Sequence, residues 1–456
     1  MDYSAANTTL WNFIIQAGII AGAILLANFL RRNLSFIRKS LMPVAVLAGF
    51  LLLIAKLTGL LKLDGQILET LVYHGIALGF IAMSLRVPEG KKADGDLTGL
   101  KSGAIVVSSY MVQGVTGLII TLLLSYTLMP GLFRASGLLL PMGYGQGPGQ
   151  ANNIGSTYEA LGFTGGRSFG LAIAAAGYLV ACIVGVIILN VLSRKGKVGV
   201  RKEGTEDRHP LDFFQGKNEI PISDSIDKLS VQIAMTLVIY LATYLVSWGI
   251  TSGLSAAAPG LANTVNTLIW GFNFIIGSAL AMLVRLLLEK GRKAGIVKRQ
   301  YQNNYLLNRI SGFFFDIMIV AGIASINLED IRSLWLPFVL LAVFGGVTTW
   351  LHLRKVCKAV YPGYYYEGLL SMFGMMTGTI SSGILLLREI DPDLKTPASN
   401  NLVTGSSFGI VLGAPVLILV GLAPKSDLLC FITLGLAFVY LILLDLLIFK
   451  VHKRKS

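Results

Sequence analysis

Charge is what this chain has least of. Asp, Glu, Lys and Arg together make up only 14% of the 456 residues, against roughly 25% in a soluble globular protein. So few cannot cover the water-facing surface of a chain this long, which excludes a soluble enzyme and a charge-rich disordered chain. Cysteine is nearly absent. Cys182, Cys357 and Cys430 stand alone, with no CxxC pair and no metal-type spacing, so neither a disulfide scaffold nor a thiolate metal site is expected, and each reads as a small buried hydrophobe. HExxH, paired aspartate motifs and a GxxxxGK[ST] loop are all missing. No zinc-hydrolase or paired-aspartate motif therefore supports a membrane-embedded enzyme, and nothing supports direct coupling to ATP. The first ten residues hold an acid and no basic run, so no cleavable signal peptide is expected.

Apolar residues are abundant, at 54%, and they fall into runs of about 20, the length that crosses a bilayer core about 30 Å thick. Crossings are expected at 12–30, 41–62, 66–86, 103–128 and 169–192, then at 230–250, 266–288, 310–328, 334–353, 399–423 and 428–449. Two further stretches, 132–166 and 362–397, have membrane character but are broken by Gly, Pro and polar residues. Both read as re-entrant hairpins that enter and leave on one side.

The basic residues test that layout. With the N-terminus outside and each hairpin returning to its own face, 31 Lys and Arg fall on the inner side and six near the outer side. This is a strong positive-inside signal. A single crossing at either hairpin would flip every later loop and degrade the asymmetry. The net charge of +14 therefore reports membrane orientation, not nucleic-acid binding. The expected location is the inner (plasma) membrane, with the C-terminus cytoplasmic.

Residues 193–229 mix charge, Gly and Pro and read as a cytoplasmic linker between two halves. Residues 1–192 form a first repeat containing the hairpin 132–166, and 230–425 a second containing the hairpin 362–397. Residues 426–456 add an extra helix and a basic tail. Each half has four crossings, a Gly-broken hairpin and a fifth crossing. Because five is odd, the second half enters the membrane inverted, as in many secondary transporters. The expected fold is an all-α polytopic membrane protein of two inverted-topology five-helix repeats plus one C-terminal helix. The motif MGYGQGPGQANN (142–153) resembles MFGMMTGTISSG (372–383), and matching their glycines, one residue along, sets Gly143 and Gly147 opposite Gly374 and Gly378. GFIAMSL (79–85) aligns with AGIASINL (321–328), which sets His74 opposite Asp316.

Non-helical backbone within a bilayer is tolerated only where it is buried or lines a cavity. At such a break, free N–H groups at helix N-termini suit a carboxylate, and free carbonyls suit Na⁺. Glycine lets a ligand approach the main chain closely, while amides and hydroxyls add neutral ligands. The expected substrate-binding residues are Gly145, Gln146, Gly147, Gly149, Asn152, Asn153, Thr377, Gly378, Thr379, Ser381, Ser382 and Asn401. Na⁺ is expected near Gly147, Thr379 and Ser382, and no other cofactor. The bland alternative is that Gly and Ser only allow close helix packing. Asp316 is an acid within an apolar helix and so a candidate for ion coupling, or else a partner of Arg309 or Arg285. Thr404, Ser406 and Ser407 follow the second hairpin and are assigned to ion coupling, with helix capping as the alternative. His74 reads as a satisfied bundle histidine or a pH gate, and Lys56 as a snorkelling side chain.

The run GYGQGPGQANNIGSTYEALGFTGGRSFGLAIAAAGYLVACIVG and the opening RRNLSFIRKSLMPVAVLAGFLLLI resemble the bacterial sodium/glutamate symporter family, and YYYEGLLSMFGMMTGTISSGILLLREI resembles its second Gly-rich tip. The resemblance spans about residues 10–425. It implies two inverted five-helix repeats, a homodimer, a carrying core that shifts against a scaffold, and uptake of L-glutamate with Na⁺. Gln146 stands where that family's first tip has His, the second tip has no Thr-Pro-Thr-like stretch, and the crossing at 428–449 is additional. A carrier of the same fold that couples another carboxylate to protons through Asp316 is the nearest alternative, and a channel or membrane enzyme the more distant one.

Overall fold

The structure is a computed structural model that describes residues 3–4, 7–87, 97–199, 222–257, 269–270, 273–296, 301–392 and 395–450. Among these residues there are helices and no strand. Eight helical spans are long and apolar enough to cross a membrane, and a bent pair makes a ninth. In hydrocarbon each backbone N–H and C=O must be bonded within its own segment, and uninterrupted apolar helices achieve this. The protein is an all-α, polytopic membrane protein.

In chain order the helices are α1 (Thr8–Asn33), α2 (Val44–Leu57), α3 (Gly65–Leu85), α4 (Thr98–Tyr126), α5 (Pro148–Ala160), α6 (Gly166–Arg194), α7 (Ile222–Ala257), α8 (Asn273–Lys293) and α9 (Asn304–Ser325). They continue as α10 (Trp335–Val360), α11 (Tyr365–Thr377), α12 (Ile380–Arg388), α13 (Ala398–Leu412), α14 (Ala414–Leu422) and α15 (Asp427–Lys450). α13 and α14 meet at a bend of 52°, where Gly413 is followed by Ala414-Pro415. Pro415 can donate no backbone bond to the preceding turn. α6 is continuous but widens into a π turn over Val180–Val184.

One expected crossing differs. The segment expected at 41–62 is helical only over Val44–Leu57, about 21 Å at 1.5 Å per residue, short of the hydrocarbon thickness. Pro43 opens that helix and Gly59, at φ +73°, turns the chain away after it. The segment expected at 266–288 lies partly outside the described residues, and its helix is described over Asn273–Lys293. Most of the linker (200–221) and the tail after Lys450 lie outside the described residues.

By contact the chain divides into two compact units, and each draws on both halves of the sequence. One comprises 1–73, 92–199 and 317–456, the other 74–91 and 200–316. The smaller unit is built around Ile81, Leu85, Ile239, Ala281, Leu307 and Ile310. Arg285 donates to the carbonyls of Ser84 and Arg86 at 3.3 and 3.1 Å, and the His74 ring bonds the Tyr240 hydroxyl at 2.5 Å. The larger unit holds both Gly-broken segments. There Lys56 donates to the carbonyls of Ala324, Ser325 and Ile326 at 3.1–3.5 Å. It is thus a cap on the C-terminus of α9, whose last carbonyls have no helical partner, and not the snorkelling side chain expected.

Candidate functional site

The first broken segment folds back on itself. Its descending arm, Arg134–Gly145, runs antiparallel along α4. The Thr121 hydroxyl donates to the carbonyl of Arg134 at 2.7 Å, Gly137 meets the backbone of Gly117, and Gly145 lies beside Tyr110 and Gln113. The chain then breaks at Gln146-Gly147, where Gly147 has φ +84° and ψ −176°, and returns as α5. Leu139 on the first arm and Ala151 on the second both pack against Gly170 of α6. The ring of Phe133 lies 5.3 Å from that of Tyr158. The arms therefore stand side by side, as a hairpin requires.

The second broken segment does the same. α11 and α12 are joined through Gly378-Thr379, and their backbones touch at Gly374 and Gly383, with a Cβ on Gly374 placed 2.8 Å from the Gly383 Cα. Glycine is needed at that crossing because any side chain would drive the arms apart. Beyond the hairpin, Asp391 accepts from the Lys395 and Thr396 N–H groups at 2.9 and 2.8 Å and from the Thr396 hydroxyl at 2.6 Å. Burial pushes this carboxyl up, but the three hydrogen bonds and the Lys395 charge outweigh it and hold it below the ordinary carboxylate value.

The two tips meet. A Cβ on Gly147 would lie 3.9 Å from Thr379 Cγ2 and 3.8 Å from the Tyr178 hydroxyl, and Gly177 of α6 abuts the carbonyl of Thr377. Between them stands Gln113 of α4, fully buried. Its Nε2 donates to the Met376 carbonyl at 2.8 Å and to Thr349 Oγ1 of α10 at 2.9 Å, while a Cβ on Gly145 would lie 3.1 Å from its Oε1. α5 and α12 both begin at this junction, α5 with Pro148 at its first position and α12 with Thr379 as its N-cap. Two sets of free N–H groups and the positive ends of two helix dipoles are thus presented at one place.

Polar atoms are left over on Gln113 and on the two return arms. Gln113 Oε1, Gln150 Nε2 and Oε1, Asn152 Oδ1, Thr379 Oγ1 and Ser382 Oγ are buried with no hydrogen-bond partner among the described residues. A buried group in that state costs about 1–3 kcal/mol, so a cluster of them is expected where a ligand completes the bonding. The oxygens are neutral amide and hydroxyl donors, the set that suits a hard monovalent cation in a place where a carboxylate would be expensive to bury.

The expected residues sort by place. Gly145, Gln146, Gly147, Gly149, Asn152, Asn153, Thr377, Gly378, Thr379 and Ser382 lie on the two tips or the first two turns beyond them. Ser381 is on the same turn of α12 but exposed. Asn401 is at the base of the second hairpin, where it donates to the Tyr364 hydroxyl at 2.7 Å. The hydroxyls of Thr404, Ser406 and Ser407 return to the carbonyls of Asn400, Leu402 and Val403 within α13, and Ser406 also lies 3.9 Å from the sulfur of Met375. Asp316 is the last residue of the smaller unit. It is exposed there and forms no ion pair with Arg309 or Arg285. Arg309 lies over the Tyr305 ring instead, and Arg285 holds the two carbonyls named above. Gln113 and Thr349 are the residues that sequence reasoning missed. Comparison with known proteins adds no family, since no family model matches the chain and no curated protein matches it significantly.

Proposed function

We propose that the chain is a secondary active transporter of the elevator type, carrying a small anionic substrate, with L-glutamate as the best single assignment, in symport with Na⁺. The observation that carries this reading is the meeting of two helical hairpins at Gly147 and Thr379, with partnerless buried oxygens and two helix N-termini at the junction. In the mechanism it supports, the N-termini of α5 and α12 receive the substrate carboxylate, while hydroxyl and carbonyl oxygens near Gly147, Thr379 and Ser382 take Na⁺. Only the loaded or the empty carrier crosses, because a half-filled, charged site is costly to move through lipid.

We read the two halves as inverted repeats. Both hairpins break over two residues, Gln146-Gly147 and Gly378-Thr379. In this pairing Gly147 answers Thr379 and Pro148 answers Ile380, one position on from the match that the glycines alone suggest. α4 and α10 cross antiparallel, with Ser108 bonded to His352, Gln113 to Thr349 and Thr116 to Thr348, as equivalent helices of an inverted pair would. The division into two compact units accords with one body carrying the site and another anchoring it, and the family resemblance adds a homodimer. Placement in the inner membrane with the N-terminus outside rests on the distribution of basic residues.

The test is counterflow of labelled L-glutamate in proteoliposomes with and without a Na⁺ gradient, alongside a panel of amino and dicarboxylic acids. Saturable, Na⁺-dependent exchange without single-channel current is expected. Exchange that ignores Na⁺ but follows a proton gradient would transfer coupling to the second reading. Asp316 favours that reading, being ionisable, within an apolar span and without a hydrogen bond or ion pair among the described residues. In that case Asp316→Asn abolishes the pH dependence.

A further inference from the structure

Gln113 points to what the carried molecule must possess. Which end of a glutamine amide is nitrogen is normally a matter of assignment, but here the Met376 carbonyl decides it. A carbonyl oxygen only accepts, so the atom 2.8 Å from it must be Nε2. The same nitrogen donates to Thr349 Oγ1, which uses both of its hydrogens. Oε1 is then forced to the opposite side, against Gly145 at the first tip, where it is buried and has no donor. The side chain cannot turn round without setting oxygen against oxygen at Met376.

We propose that Gln113 Oε1 is a fixed acceptor for the ammonium group of the proposed amino-acid substrate, a specificity-determining contact for that group. The inference rests on the reading of the two tips as the binding pocket. Within that pocket the helix N-termini supply donors for a carboxylate, and the Thr379 and Ser382 oxygens go to Na⁺, so an ammonium group needs a further acceptor. An amino acid has both needs, and Gln113 meets the second from a helix outside either hairpin. A neutral acceptor serves better than a carboxylate here, because it discriminates for a donor without itself adding a buried charge. Gln113 is also pinned by both α10 and the second hairpin, so its position is set before any ligand arrives, and it cannot relax to accommodate a molecule that lacks the donor. Glutarate, which is L-glutamate without its amino group, would leave Oε1 buried and partnerless.

The experiment measures thermal stabilisation of the full-length protein in detergent by L-glutamate, glutarate and Na⁺. For the wild type, L-glutamate should act at concentrations about 10- to 100-fold lower than glutarate, the discrimination expected of one buried acceptor left unpaired. In Gln113→Leu that ratio should fall close to one, chiefly through weaker glutamate binding. Gln113→Met, closer in volume and likewise without an amide oxygen, should lower the ratio in the same way and serves where Gln113→Leu is unstable. Equal stabilisation of the wild type by glutarate and L-glutamate overturns the assignment of Gln113 while leaving an anion site intact. An unchanged ratio in Gln113→Leu with a higher Na⁺ requirement also overturns it, giving the oxygen to the cation. If neither acid stabilises the wild type at any Na⁺ concentration, it is the pocket reading that fails.

Discussion

Replacing Gly147 with alanine separates backbone conformation from crowding at the first tip. At φ +84° and ψ −176° the residue occupies a region essentially confined to glycine, and an L side chain there is strained by about 1–3 kcal/mol. Space is not the obstacle, because the added Cβ would find its nearest neighbours at 3.8 and 3.9 Å, ordinary van der Waals contact. The whole penalty is therefore conformational. Gly59 gives the comparison. It has φ +73°, sits in an exposed turn, and has nothing within 4 Å of an added Cβ. Equilibrium unfolding by detergent titration should show both Gly147→Ala and Gly59→Ala less stable than the wild type, by up to about 3 kcal/mol. Only Gly147→Ala should also weaken Na⁺-dependent stabilisation by L-glutamate, by a factor of about 10 to 100 if the strain is relieved by distorting the tip. A Gly147→Ala protein as stable as the wild type would show that the tip has no need of its positive φ. One that is destabilised but binds normally would separate the tip from the ligand.

Other expectations follow from single contacts. Lys56→Met removes three donations to the end of α9 and should cost about 1–2 kcal/mol, with Lys56→Arg restoring part of it; equal unfolding curves would refute the cap. Asp391, held below the ordinary carboxylate value, stabilises the fold fully above that value, near pH 4, and loses the effect as pH falls through its own lower one. Acid unfolding of Asp391→Asn should therefore be less steep in that range, and an unchanged pH profile would refute the linkage. Single cysteines at Thr58 and Lys425 should react with an impermeant maleimide from outside intact cells, and at Lys195 and Lys355 only after permeabilisation. The three native cysteines are buried, so background is low, and labelling of all four from one side would overturn the topology.

The breaks at both tips are legible in the sequence because their signals are local. Glycine and proline interrupt an otherwise apolar run at Gln146-Gly147-Pro148 and at Thr377-Gly378-Thr379, and a chain cannot continue as helix through those breaks. Matching glycines between the two ignores that Thr379, not a glycine, opens the second return arm, so under the proposed repeat the breaks pair one residue further on. Contacts made across the fold left no such trace. Gln113 is a single amide in a long apolar helix, and its partners Thr349 and Met376 lie more than 200 residues away. Lys56 is equally remote from the carbonyls that it caps. Hydropathy alone overstates the crossing at 41–62, because composition does not show where a turn will close the chain.

The widened turn of α6 at Val180–Val184 bears on how this chain can change length. A π turn holds one residue more than the α turn it replaces, and absorbs the surplus locally. It lies between Gly177, which abuts the second tip, and Gly185, which receives Leu386. Excising one residue inside it should tighten the coil and leave both faces aimed as they are. The same deletion a turn earlier would rotate everything downstream by about 100° and turn Gly185 away from Leu386. Natural or engineered variants one residue shorter in this helix should therefore concentrate their gap at those five positions.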